Sequence, residues 1–143
     1  MAYENRISFD VRYSETDRMG IVHHSRYYPW FEIGRCAFME RTGVSYAEME
    51  KQKLQVPLTQ SGAKYYEGAK FGDTVTVATT LSDLGVVRVT FSYRVFRNSD
   101  QKLLAEGFTK HAFVDDQLKP INAKKKFPDI WQSLKALMDG QGS

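Results

Sequence analysis

The stretch YSETDRMGIVHHSRYYPWFEIGR, Tyr13 to Arg35, crowds Glu15, Asp17, His23 and His24 around one glycine, Gly20, and then runs into aromatics. The residues before it alternate. Ile7, Phe9, Val11 and Tyr13 fall on one side, with Arg6, Ser8, Asp10 and Arg12 on the other, which is the period of a half-buried strand. The residues after it have helical spacing. Tyr27, Trp30, Phe31, Gly34 and Phe38 recur, and Ile33, Cys36 and Ala37 fill much of the remainder. A helix over 27–41 that is apolar nearly all round must be buried. Ser25 fits as its N-cap, and Pro29 falls in the first turn, where a missing N–H costs little. Gly34 would let another backbone approach closely, and Thr42-Gly43 ends the helix. The polar loop from Ser14 to Ser25 therefore joins a strand to a buried helix.

After a short helix over 45–52 the chain reads as strands. The first, over 56–66, is broken by Pro57 and Gly62. The next, over 74–81, alternates, with Val75, Val77, Thr79 and Leu81 on one face, and Asp83-Leu84-Gly85 turns it. Val87, Val89, Phe91, Tyr93 and Val95 make one face of the third, and Asn98-Ser99-Asp100 is a hairpin turn. The last strand, over 103–114, has mixed faces, because Glu106 and Lys110 share a side with Leu104 and Phe108. A strand covered on both sides, or exposed at a subunit seam, has that character. Phe127-Pro128 opens an amphipathic helix carrying Ile130, Trp131, Leu134, Leu137 and Met138. This order predicts an α+β fold, an antiparallel five-stranded sheet around a buried helix.

Composition narrows the function. The 143 residues suit one domain spanning 1–143. No tract is apolar enough to cross a bilayer and no signal peptide is evident, so the expected location is the cytoplasm. One cysteine, Cys36, excludes an internal disulfide. It falls mid-way along the buried helix, where it reads as packing rather than a nucleophile. The net charge of +3 is modest, and the one basic run, Lys124-Lys125-Lys126 with Lys119 nearby, reads as a solvated turn. A nucleic-acid footprint needs a broader patch. No phosphate loop or dinucleotide glycine motif is present, and GVSYA from Gly43 lacks the final glycine of a nucleophile elbow. A metal held by Asp17, His23, His24 and His111 is weakened by the adjacency of two histidines and the lack of any H-x-x-x-H spacing.

Strand, loop and helix together resemble the hotdog-fold acyl-CoA thioesterases of the 4-hydroxybenzoyl-CoA thioesterase family. The pattern Y-x-x-T/C-D-x-x-G-h-V-x-[HY]-x-x-Y, h being hydrophobic, is met at Tyr13, Thr16, Asp17, Gly20, Ile21, Val22, His24 and Tyr27. FGDTVTV from Phe71 and AEGFTKHAFVD from Ala105 extend the resemblance over nearly the whole chain. It implies that Asp17 is the catalytic carboxylate, as nucleophile or as general base, and that the His24 backbone amide at the helix start holds the thioester carbonyl. Gly20 would turn the loop back so that both face one atom. The His24 side chain would orient substrate or assist proton transfer, with Gly20, Ser25, Tyr27 and Phe31 about the substrate, and the strand over 56–63 lining the acyl pocket. His23, where relatives are aromatic or apolar, would pack or line the pocket, and Glu15 would be solvated. Arg88, Lys119 and the run from Lys124 would meet the CoA phosphates. The resemblance also implies a homodimer with a continuous sheet, paired into a tetramer, and an acyl-CoA substrate with no cofactor or metal. Two other readings stay open: a hotdog dehydratase, and a non-enzymatic acyl-ligand binding protein.

Overall fold

The structure, a computed structural model, describes residues 2–140. Five strands, β1 (Glu4–Asp10), β2 (Leu58–Tyr65), β3 (Thr74–Leu84), β4 (Arg88–Arg97) and β5 (Lys102–Ala112), form one antiparallel sheet in the order β1-β3-β4-β5-β2. Helix α1 (Tyr27–Glu40) crosses its inner face. The short α2 (Tyr46–Lys51) follows, capped by Ser45, whose hydroxyl accepts the Glu48 N–H. At the C-terminal end come α3 (Ala123–Lys126) and α4 (Pro128–Met138). This is the expected α+β arrangement with a buried central helix.

The register explains how the helix is seated. Thr79, Tyr93, Gly107 and Ala63 form one cross-strand row; Leu81, Phe91, Thr109 and Ser61 form the next; Val89, His111 and Leu58 form the one after. Trp30, Phe31, Gly34 and Phe38 of α1 press onto these rows and are buried. Phe31 stacks on Tyr93 with ring centroids 4.6 Å apart and planes at 10°. Gly107 permits this, because a Cβ there would stand 2.7 Å from the Phe31 ring. Gly34 does sit at a close approach, but to side chains rather than to a backbone. A Cβ on it would lie 2.5 Å from Thr79 Oγ1 and 2.8 Å from Val77 Cγ1. Helix α4 closes the core at the Val89–Phe91 end with Ile130 and Leu134, and Trp131 Nε1 donates to the Gly85 carbonyl at 3.0 Å.

Several expectations are corrected. β1 stops at Asp10, and Tyr13, instead of continuing the inner row, opens a 3₁₀ turn and is 71% exposed. β3 runs on to Leu84 through a bulge between Leu81 and Asp83, so the turn falls after Leu84, where the Gly85 N–H reaches the Arg88 carbonyl. The lysine run is helical, because Asn122 caps the Lys125 N–H and Lys124 lies over the Trp131 ring. Only β2 is exposed along most of its length, on the outer edge of the sheet.

Candidate active site

The loop after β1 is built by hydrogen bonds that the linear pattern does not announce. Glu15, expected to be solvated, is 4% exposed. One carboxylate oxygen accepts the Trp30 indole N–H at 2.7 Å and the other the Arg12 backbone N–H at 2.9 Å. It therefore ties the strand end directly to α1. Thr16 then pairs with Val22, the Asp17 N–H reaches the Ile21 carbonyl at 2.8 Å, and the Gly20 N–H reaches the Asp17 carbonyl at 3.0 Å. Gly20 completes this reversal at φ +79°, a left-handed conformation that costs other residues energy. The Val22 N–H donates to the Ala69 carbonyl, which docks the loop against the segment leading to β3.

Asp17 stands half-buried at the tip of this reversal. Its Oδ1 accepts the Met19 N–H at 2.8 Å, and Oδ2 accepts no hydrogen bond among the described residues. The aspartate lines a cleft of about 300 Å³ with Val22, His24, Tyr27, Tyr65 and Glu67. On the other wall the chain enters α1 through a 3₁₀ turn, His24–Arg26. Ser25 is not the N-cap of α1; Arg26 holds that place without a side-chain cap bond. His23 caps the 3₁₀ turn instead, its Nδ1 accepting the Ser25 N–H at 3.2 Å and contacting the Ser25 hydroxyl at 2.8 Å. An acceptor Nδ1 places the proton of neutral His23 on Nε2. The His24 N–H makes no hydrogen bond among the described residues. A free N–H at a helix entrance is a donor for an anionic oxygen.

The aromatic wall is tight. Tyr27 is buried, accepts the Ala69 N–H at 3.4 Å, and packs against Trp30 and Tyr65 at centroid distances of 4.9 and 5.2 Å. Burial pushes its phenol pKa up, so it stays protonated. The His24 ring lies 4.1 Å from that of His23, tilted by 34°, and stands 6.1 Å from that of Tyr65. Gly20 and Ser25 shape the reversal and the 3₁₀ turn without lining the cleft, and Asp17, His24 and Tyr27 are gathered about it.

Phe31 and Arg88 are not. Phe31 is wholly buried under α1. Arg88 is exposed at the start of β4, opposite Ala112, at the far end of the sheet. His111 is also remote from the loop histidines: it is buried in β5, with Nδ1 3.0 Å from the Val56 carbonyl and Nε2 2.8 Å from Thr109 Oγ1. Of the strand region expected to line the acyl pocket, residues 56–63 do not line this cleft; the end of β2 and the residues after it, Tyr65 to Gly68, do. The sequence reading missed Glu15 and Tyr65. An aromatic pair ending a strand was the only available hint of the second, and the first had none.

Known proteins are similar to this chain in sequence and fold. A family model described as the thioesterase-like superfamily matches residues 11–136. The Bacillus subtilis protein YneP is 35% identical over 121 residues, 84% of this chain and 87% of that one. The acyl-CoA thioesterase YbgC of Haemophilus influenzae is 29% identical over 136 residues, 92% and 98% of the two chains. The DHNA-CoA thioesterase of Staphylococcus aureus superposes with a TM-score of 0.88 at 29% identity, covering 99% of this chain and 96% of its own. On the family match, the identity to YneP and the shared architecture, this chain belongs to the thioesterase-like superfamily and has its hotdog fold.

Proposed function

We propose that this chain is an acyl-CoA thioesterase, hydrolysing the thioester of an acyl- or aroyl-CoA to the free acid and CoA. The observation that carries this is the pairing of Asp17, with an uncommitted carboxylate oxygen, and the unbonded His24 N–H on one cleft. The helix-start amide takes the charge that develops on the carbonyl oxygen. Two routes use the same atoms. Asp17 attacks the carbonyl carbon, the C–S bond breaks, CoA leaves as thiolate and water hydrolyses the anhydride. Alternatively, Asp17 takes a proton from a water that attacks the carbonyl. In both, water adds across the C–S bond. Related proteins named as acyl-CoA and DHNA-CoA thioesterases support the reaction, and the second supports including aroyl substrates in the test.

The open edge of β2 supports a homodimer. An unpaired strand edge is a template for a second chain, and on the inner face Leu58, Ser61 and Tyr65 are all exposed. Antiparallel pairing of two β2 strands makes one continuous sheet and sets the Leu58 end of one copy beside the Tyr65 end of the other. Arg88 pairs with Ala112 and Leu58 with His111, while the Ala123 N–H reaches the Val86 carbonyl. The basic end of one copy, with Arg88, Lys119 and Lys124–Lys126, then lies near the cleft of its neighbour, where CoA phosphates need cations. No helix among the described residues is long and apolar enough to cross a membrane; the cytoplasm is the proposed location.

The test is a panel of acyl- and aroyl-CoAs with a thiol reagent, on the wild type and on Asp17→Asn. The variant should fold and assemble normally and lose turnover by orders of magnitude. Release of no thiol from any substrate sinks the enzyme reading; near-normal turnover of Asp17→Asn removes Asp17 from the chemistry.

A further inference from the structure

Among the described residues, Arg35 is the one half-buried cation whose hydrogen bonds go only to neutral groups. It lies on α1, with Nε donating to Tyr46 Oη at 3.0 Å and Nη1 to Tyr93 Oη at 3.5 Å, its guanidinium 5.8 Å from the centre of the Tyr46 ring. The ion pairs among the described residues involve Arg6, Arg12, Arg94, Arg97, Lys102 and Lys135, but not Arg35. The groups behind it are neutral too. Tyr93 Oη contacts Thr109 Oγ1 at 2.5 Å, which contacts His111 Nε2 at 2.8 Å. Burial and the charge of Arg35 push the His111 pKa down to about 4, so the imidazole is uncharged at neutral pH. A guanidinium has five N–H donors, and removing it from water without a counter-charge is costly.

The register says what lies beside it. Tyr93, Gly107 and Ala63 share one inner row, and Phe91, Thr109 and Ser61 the next. Arg35 sits over the β4–β5 seam, and between it and the sheet edge runs the inner face of β2, left uncovered by this chain at Ser61 and Tyr65. This strip begins at the cleft, because Tyr65 lines both. From Tyr65 to Ser61 it is four residues, about 13 Å at strand spacing. When two β2 strands pair, α1 of a second copy is too distant to supply the missing anion. Each α1 lies over β1, β3 and the near side of β4, so at least about six strand spacings of ~4.8 Å would separate the helices on a flat sheet. The strip becomes the floor of a trough between them, open at the thioester end and cationic farther along.

We propose that this trough receives the acyl group and that Arg35, with Tyr93 and Tyr46, binds a carboxylate at its far end, selecting acyl-CoA substrates that carry an acid group remote from the thioester. This rests on the acyl-CoA thioesterase reading and extends it to a substrate class. The separation of about 13 Å along the strand suits an extended chain of about eight to ten carbons.

The experiment compares kcat/KM for pairs of acyl-CoAs of equal chain length, one ending in a methyl group and one in a carboxylate, on wild type, Arg35→Met and Arg35→Lys. The wild type should prefer the carboxylate-ended member. Arg35→Met should lower that preference ratio about tenfold or more, the scale of a lost charge-assisted hydrogen bond. Arg35→Lys, which keeps the charge but not the fork, should fall between. Equal wild-type rates within each pair, or a ratio unmoved by Arg35→Met, overturn the proposal. So does an equal loss on both members, which marks Arg35 as structural. Calorimetry of the wild type with free dicarboxylic and monocarboxylic acids of the same length separates the two readings. Tighter binding of the diacid supports the carboxylate site even if no thioester is cleaved, and equal binding overturns it whatever the turnover.

Discussion

Replacing Gly34 by alanine sets two effects of known size against each other. In an exposed helix the change stabilises by about 1 kcal/mol, because glycine is the poorer helix former by that amount. Here the new Cβ would stand 2.5 Å from Thr79 Oγ1 and 2.8 Å from Val77 Cγ1. Both neighbours are β-branched and stiff at χ1, so neither swings aside cheaply. Restoring ordinary contact near 3.5 Å means lifting α1 by about 1 Å, a gap at which packed atoms lose a quarter to a half of their attraction. The Phe31–Tyr93 stack at 4.6 Å lies in the same row and would loosen with it. Overpacking of this kind costs about 1–3 kcal/mol and at times more. Steric cost therefore outweighs helix propensity, and Gly34→Ala should lose about 1–2 kcal/mol, lowering the melting temperature by roughly 3–8 °C.

Thr79 supplies the internal control. Its hydroxyl is buried without a hydrogen-bond partner among the described residues, so Thr79→Ala removes an unpaired polar atom while sacrificing a methyl. It should be nearly neutral alone and should recover about 1 kcal/mol in the Gly34→Ala background, a coupling expected only of residues in contact. Thermal and urea unfolding followed by circular dichroism read both values. A Gly34→Ala protein that melts higher than wild type, or strictly additive effects of the two changes, would refute the packing argument.

Removing Glu15 tests the anchor of the Asp17 loop. Glu15→Ala leaves the Trp30 indole N–H and the Arg12 N–H without acceptors and should destabilise by about 3–5 kcal/mol, since each is a bond to a charged group. Urea unfolding checks it, with Trp30 fluorescence as a local probe; a loss under about 1 kcal/mol contradicts the anchoring role. Stability should also fall with acid through His111. Its folded pKa of about 4 lies below the ordinary 6.5, so the unfolded chain binds the extra proton between those values. The contribution is full above pH ~6.5, shrinks as pH falls towards ~4, and amounts to about 3 kcal/mol. His111→Gln should flatten the slope of stability against pH in that window; an unchanged slope refutes the assignment.

Much was legible in the sequence because it is local. The alternation of Val75 to Leu81 and of Val89 to Val95 made strands, and the all-round apolar run from Tyr27 made a buried helix, since the periods 2 and 3.6 are properties of neighbouring residues. The spacing from Asp17 through Gly20 to His24 marked the cleft, because a tight reversal needs its residues consecutive and its glycine at positive φ. Tertiary contact decided the rest. Glu15 looks like any loop acid until Trp30, fifteen residues on, brings an indole N–H to it. Phe31 and Tyr27 share the aromatic helix start, yet the space left by Gly107 draws Phe31 into the core, while Tyr27 stays at the cleft with Tyr65. That Arg35 has no ion-pair partner among the described residues shows only after the register has set Tyr93, Thr109 and His111 behind it. Burial and pairing depend on which distant residues meet, and that is the information a linear period does not contain.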